Sequence, residues 1–238
     1  MRQSEIEHRI QQFLQNRDME TPVSINERSL QLFGDEKYLA SSDGQSYLSK
    51  HNLSLGLFKV YRASEPFLYY ATGIPSTDAL IVENKDTWYT MRKILIETGK
   101  ICGMKFAAVI YGEGRKIQSS FAYIMDSEYK SLQNISTFYY FGDLDSSGID
   151  ILYKLQKSYT QNIVPFEPGY RYLYDHRNMG RTKELQKHIS ITLKEVKILD
   201  FLGSDALTDI YTFCNHDYLV PQELMNYDVL ERWEWLYS

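Results

Sequence analysis

Between Phe138 and Leu155 the sequence reads FYYFGDLDSSGIDILYKL. The four aromatic residues Phe138 to Phe141 suit the buried, pleated surface of a strand, and Gly142 closes the run with a turn. Asp143 and Asp145 follow two positions apart, so an extended backbone would project both carboxylates to one side. Ser146, Ser147 and Gly148 then open a helix in which Ile149, Leu152 and Leu155 recur every third residue, with a serine placed to cap it. A strand end, an acidic turn and a helix start together offer a place for a hard cation, because Mg²⁺ is typically held by one or two carboxylates plus waters and phosphate oxygens. Turn aspartates and helix capping are the plainer account of the same residues, so the rest of the chain has to decide between them.

Upstream the same pattern occurs twice more. Ala79 to Val82 is a short apolar run followed by Glu83, Asn84 and a helix capped near Asp86, with Trp88, Met91 and Leu95 on one side. Phe106 to Tyr111 is a second run, followed by Gly112, Glu113, Gly114 and a helix bearing Ile117, Phe121 and Ile124. Apolar strands alternating with amphipathic helices predict an α/β fold, a parallel sheet flanked by helices. In such sheets ligands collect beyond the carboxyl ends of the strands, where Glu83, the Gly-Glu-Gly turn, Asp143 and Asp145 all fall. One Glu and two Asp there can hold one or two divalent ions, a set suited to phosphodiester chemistry. Lys85 and the amides of Gly112 and Gly114 are candidates for touching a phosphate; a surface lysine and a tight turn are the structural alternatives.

Around this centre, Ser4 to Leu14 shows one apolar helical face, and Leu57 to Tyr61 with Phe67 to Ala71 predict a hairpin. Gly73 to Thr77 is a plausible boundary, giving an amino-terminal helix and hairpin segment over 1–74 and a catalytic domain with a helical carboxyl-terminal extension over 75–238. Ile163 to Phe166 reads as a fourth strand, at an edge because of Pro165. Helical patterns follow at Lys183 to His188, Leu193 to Leu202 and Leu207 to Phe213, then in a segment opening at Pro221. Trp233 and Trp235 form an aromatic cluster near the end.

Composition is that of a globular domain, with 43% hydrophobic and 24% charged residues in 238. No stretch is apolar for long enough to span a bilayer, and the charged amino terminus predicts a cytoplasmic protein. Cys102 and Cys214 fit neither a zinc spacing nor a disulfide framework. A net charge of -5 argues against coating of nucleic acid by bulk electrostatics. The exception is local: from Tyr170 to Lys197 seven basic residues face three acidic ones. Arg171, Arg177, Arg181 and Lys183, with Lys187, are therefore candidates for a DNA-binding face, and a solvated helix is the alternative.

ALIVENKDTW at 79–88, VIYGEG at 109–114 and YYFGDLDSSGIDIL at 139–152 resemble the three strand-end motifs of the Toprim fold. The wording is closer to one branch, the nuclease subunit JetD of Wadjet systems, the SMC-like bacterial defence against plasmids. ERSLQLFGDEKYL at 27–39 is similar to the segment preceding Toprim there, and Pro221-Gln222-Glu223 to a Gln-Glu element near that family's carboxyl end. The resemblance implies that Glu83, Asp143 and Asp145 are catalytic metal ligands for Mg²⁺ or Mn²⁺ and that the reaction is cleavage of double-stranded DNA. It also implies SMC-like subunits and a second copy of the chain as partners, although most of the larger amino-terminal part expected of JetD is missing. Type IIB topoisomerases with the same arrangement attack through a tyrosine of a separate domain; no matching motif occurs here, and water is the expected nucleophile. Two other readings stand beside this one: a D-x-D phosphatase, which Ser147 and the two preceding βα units fit poorly, and a non-catalytic module binding DNA or a partner.

Overall fold

A computed structural model describes residues 3–63, 65–182, 189–233 and 235. The chain divides into two compact units, Met1–Ser64 and Glu65–Ser238.

In the first unit, α1 (Gln3–Gln15), β1 (Val23–Ser24), α2 (Ile25–Phe33), α3 (Ser42–Lys50) and β2 (Val60–Tyr61) enclose a core of Ile10, Phe13, Ile25, Leu32, Phe33, Leu39, Leu48 and Phe58. Ser24 and Glu27 close a reciprocal capping box at the start of α2, and Gly34 ends that helix in the left-handed region at φ 72°. Buried Arg28 is fully engaged: its guanidinium donates to the carbonyls of Phe58 and Thr21 and to Gln31, and pairs with Glu20 at 3.2 Å. The expected hairpin does not form. Val60 and Tyr61 pair in parallel with Val23 and Ser24, while the later segment pairs elsewhere. The reason lies in Leu55–Phe58, which coils into a 3-10 turn that drops Phe58 into this core, leaving only two residues extended.

The second unit is built on a five-stranded sheet of β3 (Tyr69–Ala71), β4 (Asp78–Val82), β5 (Ala108–Tyr111), β6 (Thr137–Phe141) and β7 (Asn162–Pro165), in the order β3-β5-β4-β6-β7. β3 is antiparallel to β5, and the other four strands are parallel, so the sheet already begins before the Gly73 to Thr77 stretch. Flanking it are α4 (Lys85–Thr98), α5 (Ile117–Ser120), α6 (Ser146–Ser158) and α7 (Glu167–Asp175). The expected strand-turn-helix repeats are all present. Central β4 is fully buried from Ala79 to Val82, which is why it reads as an unbroken apolar run. Pro165 sits on edge strand β7, where its missing N–H breaks no second ladder.

Three helices differ from expectation, among them the Leu193 to Leu202 pattern, which is α-helical only to Val196 and a 3-10 stretch from Lys197 to Leu202. After α5 the chain tightens into a 3-10 stretch, Phe121–Met125, yet Ile117, Phe121 and Ile124 are still buried in the core as their spacing requires. Lys183 to His188 lies outside the described residues. Beyond α7 come β8 (Arg181–Thr182), α8 (Leu193–Val196), α9 (Ser204–Asn215), β9 (Tyr218–Leu219) and α10 (Tyr227–Glu231), with β8 antiparallel to β9. Pro221 precedes a 3-10 turn, Gln222–Leu224, instead of opening an α-helix. No helix among the described residues is long and apolar enough to cross a membrane.

Leu80 is fully enclosed in β4, so Leu80→Ala should cost about 2–5 kcal/mol in urea unfolding. Leu193→Ala, at a side chain 53% exposed, should stay within about 0.5 kcal/mol of the parent, and equal losses at the two positions would contradict this core.

Candidate functional site

β4 lies between β5 and β6, and the register pairs Val82 with both Tyr111 and Phe141, so the three strands end level. Glu83 is the next residue out. Its N–H donates to the Phe141 carbonyl at 2.9 Å, and its Oε2 accepts from the Tyr140 hydroxyl at 2.9 Å. Only 9% of Glu83 is exposed. Tyr140 is fully buried, and burial, then the charge of Glu83, raises its phenol well above the ordinary range. Tyr170, equally buried, accepts from the Gly142 N–H at 3.2 Å; burial raises it too, with Glu83, Asp143 and Asp145 adding to the effect. Both phenols stay protonated at neutral pH, which suits them to donating and orienting and unsuits them as phenolate nucleophiles. Gly142 is required by the same geometry: a Cβ there would run into Glu83 Oε2 and the Tyr140 ring.

The two aspartates of the third turn have separate tasks. Asp143 is half-buried, and its Oδ1 accepts from the Gln222 N–H at 2.9 Å and from Asn84 Nδ2 at 3.3 Å. Asp145, 3% exposed, is the N-cap of α6: its Oδ1 accepts from the Gly148 N–H at 2.8 Å. This corrects the expected serine cap, since the helix begins at Ser146 and an aspartate already stands at the position that caps. Gly148 admits the Asp143 carbonyl into the space a Cβ would fill.

Asn84 is the N-cap of α4 in place of the expected Asp86, yet its side chain makes no capping bond. It bridges Asp143 and Glu223 Oε1, the latter at 3.0 Å. The Pro221-Gln222-Glu223 segment therefore belongs to the site. It is held there by paired backbone bonds between Leu144 and Val220 at 3.0 and 3.2 Å, and Gln222 is wholly buried.

Arg115 and Asp150 were not foreseen. Arg115 leaves the Gly-Glu-Gly turn to pair with Asp150 at 2.6 Å and to reach Ser147 at 3.4 Å; Lys154 meets the same carboxylate at 2.9 Å. The only hint in the sequence is position, a cation directly after one strand-end turn and an acid on the first turns of the helix after another.

The remaining candidates fare unevenly. The N–H of Gly112 donates to Val82 O at 2.8 Å and that of Gly114 to Glu83 O at 3.3 Å, so these amides brace the end of β4 instead of facing a phosphate. Lys85 is exposed on the first turn of α4. Arg171 donates to Phe201 O at 2.9 Å and lies over the Phe201 ring, lining a cavity of about 510 Å³ with Tyr139, Tyr172 and Trp233. Arg177 donates to Tyr174 O, covers that ring and pairs with Asp209 at 3.5 Å. Arg181 is exposed in β8, and Lys183 and Lys187 lie outside the described residues. The basic run is thus no continuous row of unengaged cations.

Among the described residues, no three or more His, Cys, Asp or Glu side chains are grouped so as to hold a metal ion. Glu83, Asp143 and Asp145 make no preassembled three-ligand centre. Their oxygens are nonetheless hard donors, and one or two carboxylates completed by water and phosphate oxygens are what Mg²⁺ ordinarily takes, so the donor set fits that ion in the open manner.

A mostly parallel sheet with acidic residues beyond its central strand ends defines an α/β protein of the class that binds ligands at the carboxyl edge of the sheet. Residues 48–233 match the family described as Wadjet protein JetD, C-terminal, and the chain belongs to that family. No curated protein matches it.

Because Asn caps a helix about as well as Asp, Asp145→Asn should melt within a few tenths of a kcal/mol of the parent, whereas Asp145→Ala should lose about 1 kcal/mol. Chemical denaturation distinguishes the two; equal losses would remove the capping role.

Proposed function

We propose that the chain is a metal-dependent DNA endonuclease of the Toprim type, acting on plasmid DNA as the nuclease subunit of a Wadjet-like complex. The observation that carries this reading is the placement of Glu83 one residue past the central strand, level with the Gly-Glu-Gly turn on one side and the Gly142-Asp143-Leu144-Asp145 turn on the other. Membership of the JetD family supports it. A bound Mg²⁺ or Mn²⁺, held by carboxylates of Glu83, Asp143 and Asp145, would supply charge neutralisation at the scissile phosphate and a water of lowered pKa.

The protein's own residues set that geometry. Tyr140 donates to one oxygen of Glu83 and so restrains its carboxylate. Asn84 and the Gln222 backbone fix Asp143, and Gly148 fixes Asp145. Arg115 and Lys154 share the single carboxylate of Asp150, and Arg115 reaches Ser147, so this trio leaves a net positive charge near the D-x-D turn to offset repulsion between the DNA backbone and the carboxylates. Water is the nucleophile in this reading, since the two tyrosines beside Glu83 are buried and protonated. SMC-like subunits, a second copy of the chain and a cytoplasmic setting belong to the same proposal.

A non-catalytic module that binds DNA or a partner is the second reading. The observation favouring it is that each of the three carboxylates already accepts a hydrogen bond within the protein. Supercoiled plasmid separates the two. The parent protein should nick or linearise it with Mg²⁺ and not with a chelator, and Glu83→Gln should lose at least the roughly 10–100-fold typical of disturbed metal sites while binding DNA undiminished. Full cleavage by Glu83→Gln, or none by the parent in complex with its partners, would contradict the nuclease reading.

A further inference from the structure

α4 leaves the acidic edge with two unlike faces. Thr87, Trp88, Met91, Ile94 and Leu95 are buried against the sheet. On the outer side, Lys85, Tyr89, half-buried Arg92 and Ile96 fall within about 60° of one another at 3.6 residues per turn, forming a narrow stripe bordered by exposed Asp86, Lys93 and Glu97. The acids of this helix, Asp86 and Glu97, stand about 100° round from Lys85. Glu97 is occupied by Lys93 at 4.0 Å and by the Tyr227 hydroxyl at 2.7 Å. Among the described residues neither Lys85 nor Arg92 makes an ion pair.

Arg92 is held by rings. Its guanidinium carbon lies 5.3 Å from the centre of Tyr70, 5.4 Å from Trp88 and 5.1 Å from Tyr89. Trp88 is fixed from below by donating to Val109 O at 3.2 Å, so the half-buried cation rests on an anchored ring. Tyr89 is 58% exposed and offers a ring between the two cations. Lys85 and Arg92 are seven residues apart, about 10 Å along the helix axis.

We infer that the Lys85-Tyr89-Arg92 stripe is a binding track for an unpaired DNA strand leading to the acidic edge, with the two cations on phosphates and Tyr89 stacked on a base. The inference rests on the nuclease reading for the identity of its ligand. Alternating cations and an aromatic ring are what single strands are bound by: fixed charge for the backbone and a π-face for any base. A protein partner would also use Tyr and Arg, but the two cations of the stripe have no acid paired to them and Lys85 directly follows Glu83 and Asn84 at the acidic edge.

The test is fluorescence anisotropy with a labelled 20-nucleotide single strand and the matching duplex, in chelator, across a salt series. Lys85→Gln with Arg92→Gln should flatten the single-strand salt dependence by about 1.4 log units per log unit of salt, since each phosphate contact accounts for about 0.7. Tyr89→Ser, a change at an exposed side chain, should weaken the single strand roughly 5- to 150-fold and the duplex far less. An unchanged salt slope in the double variant, or a Tyr89→Ser loss equal for both DNAs, would overturn the track, the second by pointing to shared structural damage. Plasmid cleavage by the parent protein is scored separately: a flattened slope without cleavage sinks the nuclease and keeps the track, and cleavage with an unchanged slope does the reverse.

Discussion

A glutamate carboxylate with under a tenth of its residue surface in water is the constraint on which the rest of the second unit turns. Removing an ionised carboxylate from water costs several kcal/mol unless it is hydrogen-bonded, so Glu83 can stand at the end of β4 only if its surroundings are built for it. Tyr140 donates to it, and Gly142 has no side chain because the carboxylate crosses the place one would occupy. Tyr170 holds the Gly142 amide, and the Gly-Glu-Gly turn closes over β4 from the other side. Three turns separated by some sixty residues are thereby locked around one charge.

From that lock the site spreads outward by contacts of increasing sequence separation. Arg115 meets Asp150 35 residues away, Gln222 meets Asp143 79 away, and Asn84 meets Glu223 139 away. The segment carrying Gln222 is therefore no appendage. It supplies backbone and side-chain groups that fix Asp143, and the paired bonds between Leu144 and Val220 fasten it to the D-x-D turn itself.

The sheet was legible because β4 and most of β5 are buried on both faces, β6 is buried on one and half-buried on the other, and all three spell themselves as apolar runs, each followed by a turn and a helical pattern. Glu83, Asp143 and Asp145 were visible as strand-end acids for the same reason. The false hairpin arose where strands shrink to two or three residues, because pairing is then chosen by a distant partner and not by local pattern. Asn84 and Arg115 were illegible as site residues, and Gln222 was marked only through a resemblance, their roles being set by long-range contacts that no spacing encodes. The basic run showed its charge but not its occupation: Arg171 and Arg177 bond carbonyls and rings of their own neighbourhood, while on α4 Lys85 was legible beside the strand-end glutamate and Arg92, set by its contacts with Tyr70, Trp88 and Tyr89, was not.

Metal binding at the Glu83 edge is the claim on which the functional account stands, and a crystal of the protein soaked in Mn²⁺ tests it with the fewest assumptions. The account predicts an anomalous peak in direct coordination with at least one carboxylate oxygen of Glu83, Asp143 or Asp145, absent from crystals of Glu83→Gln treated alike. A map with no peak at this edge, or one unchanged in the variant, would contradict it.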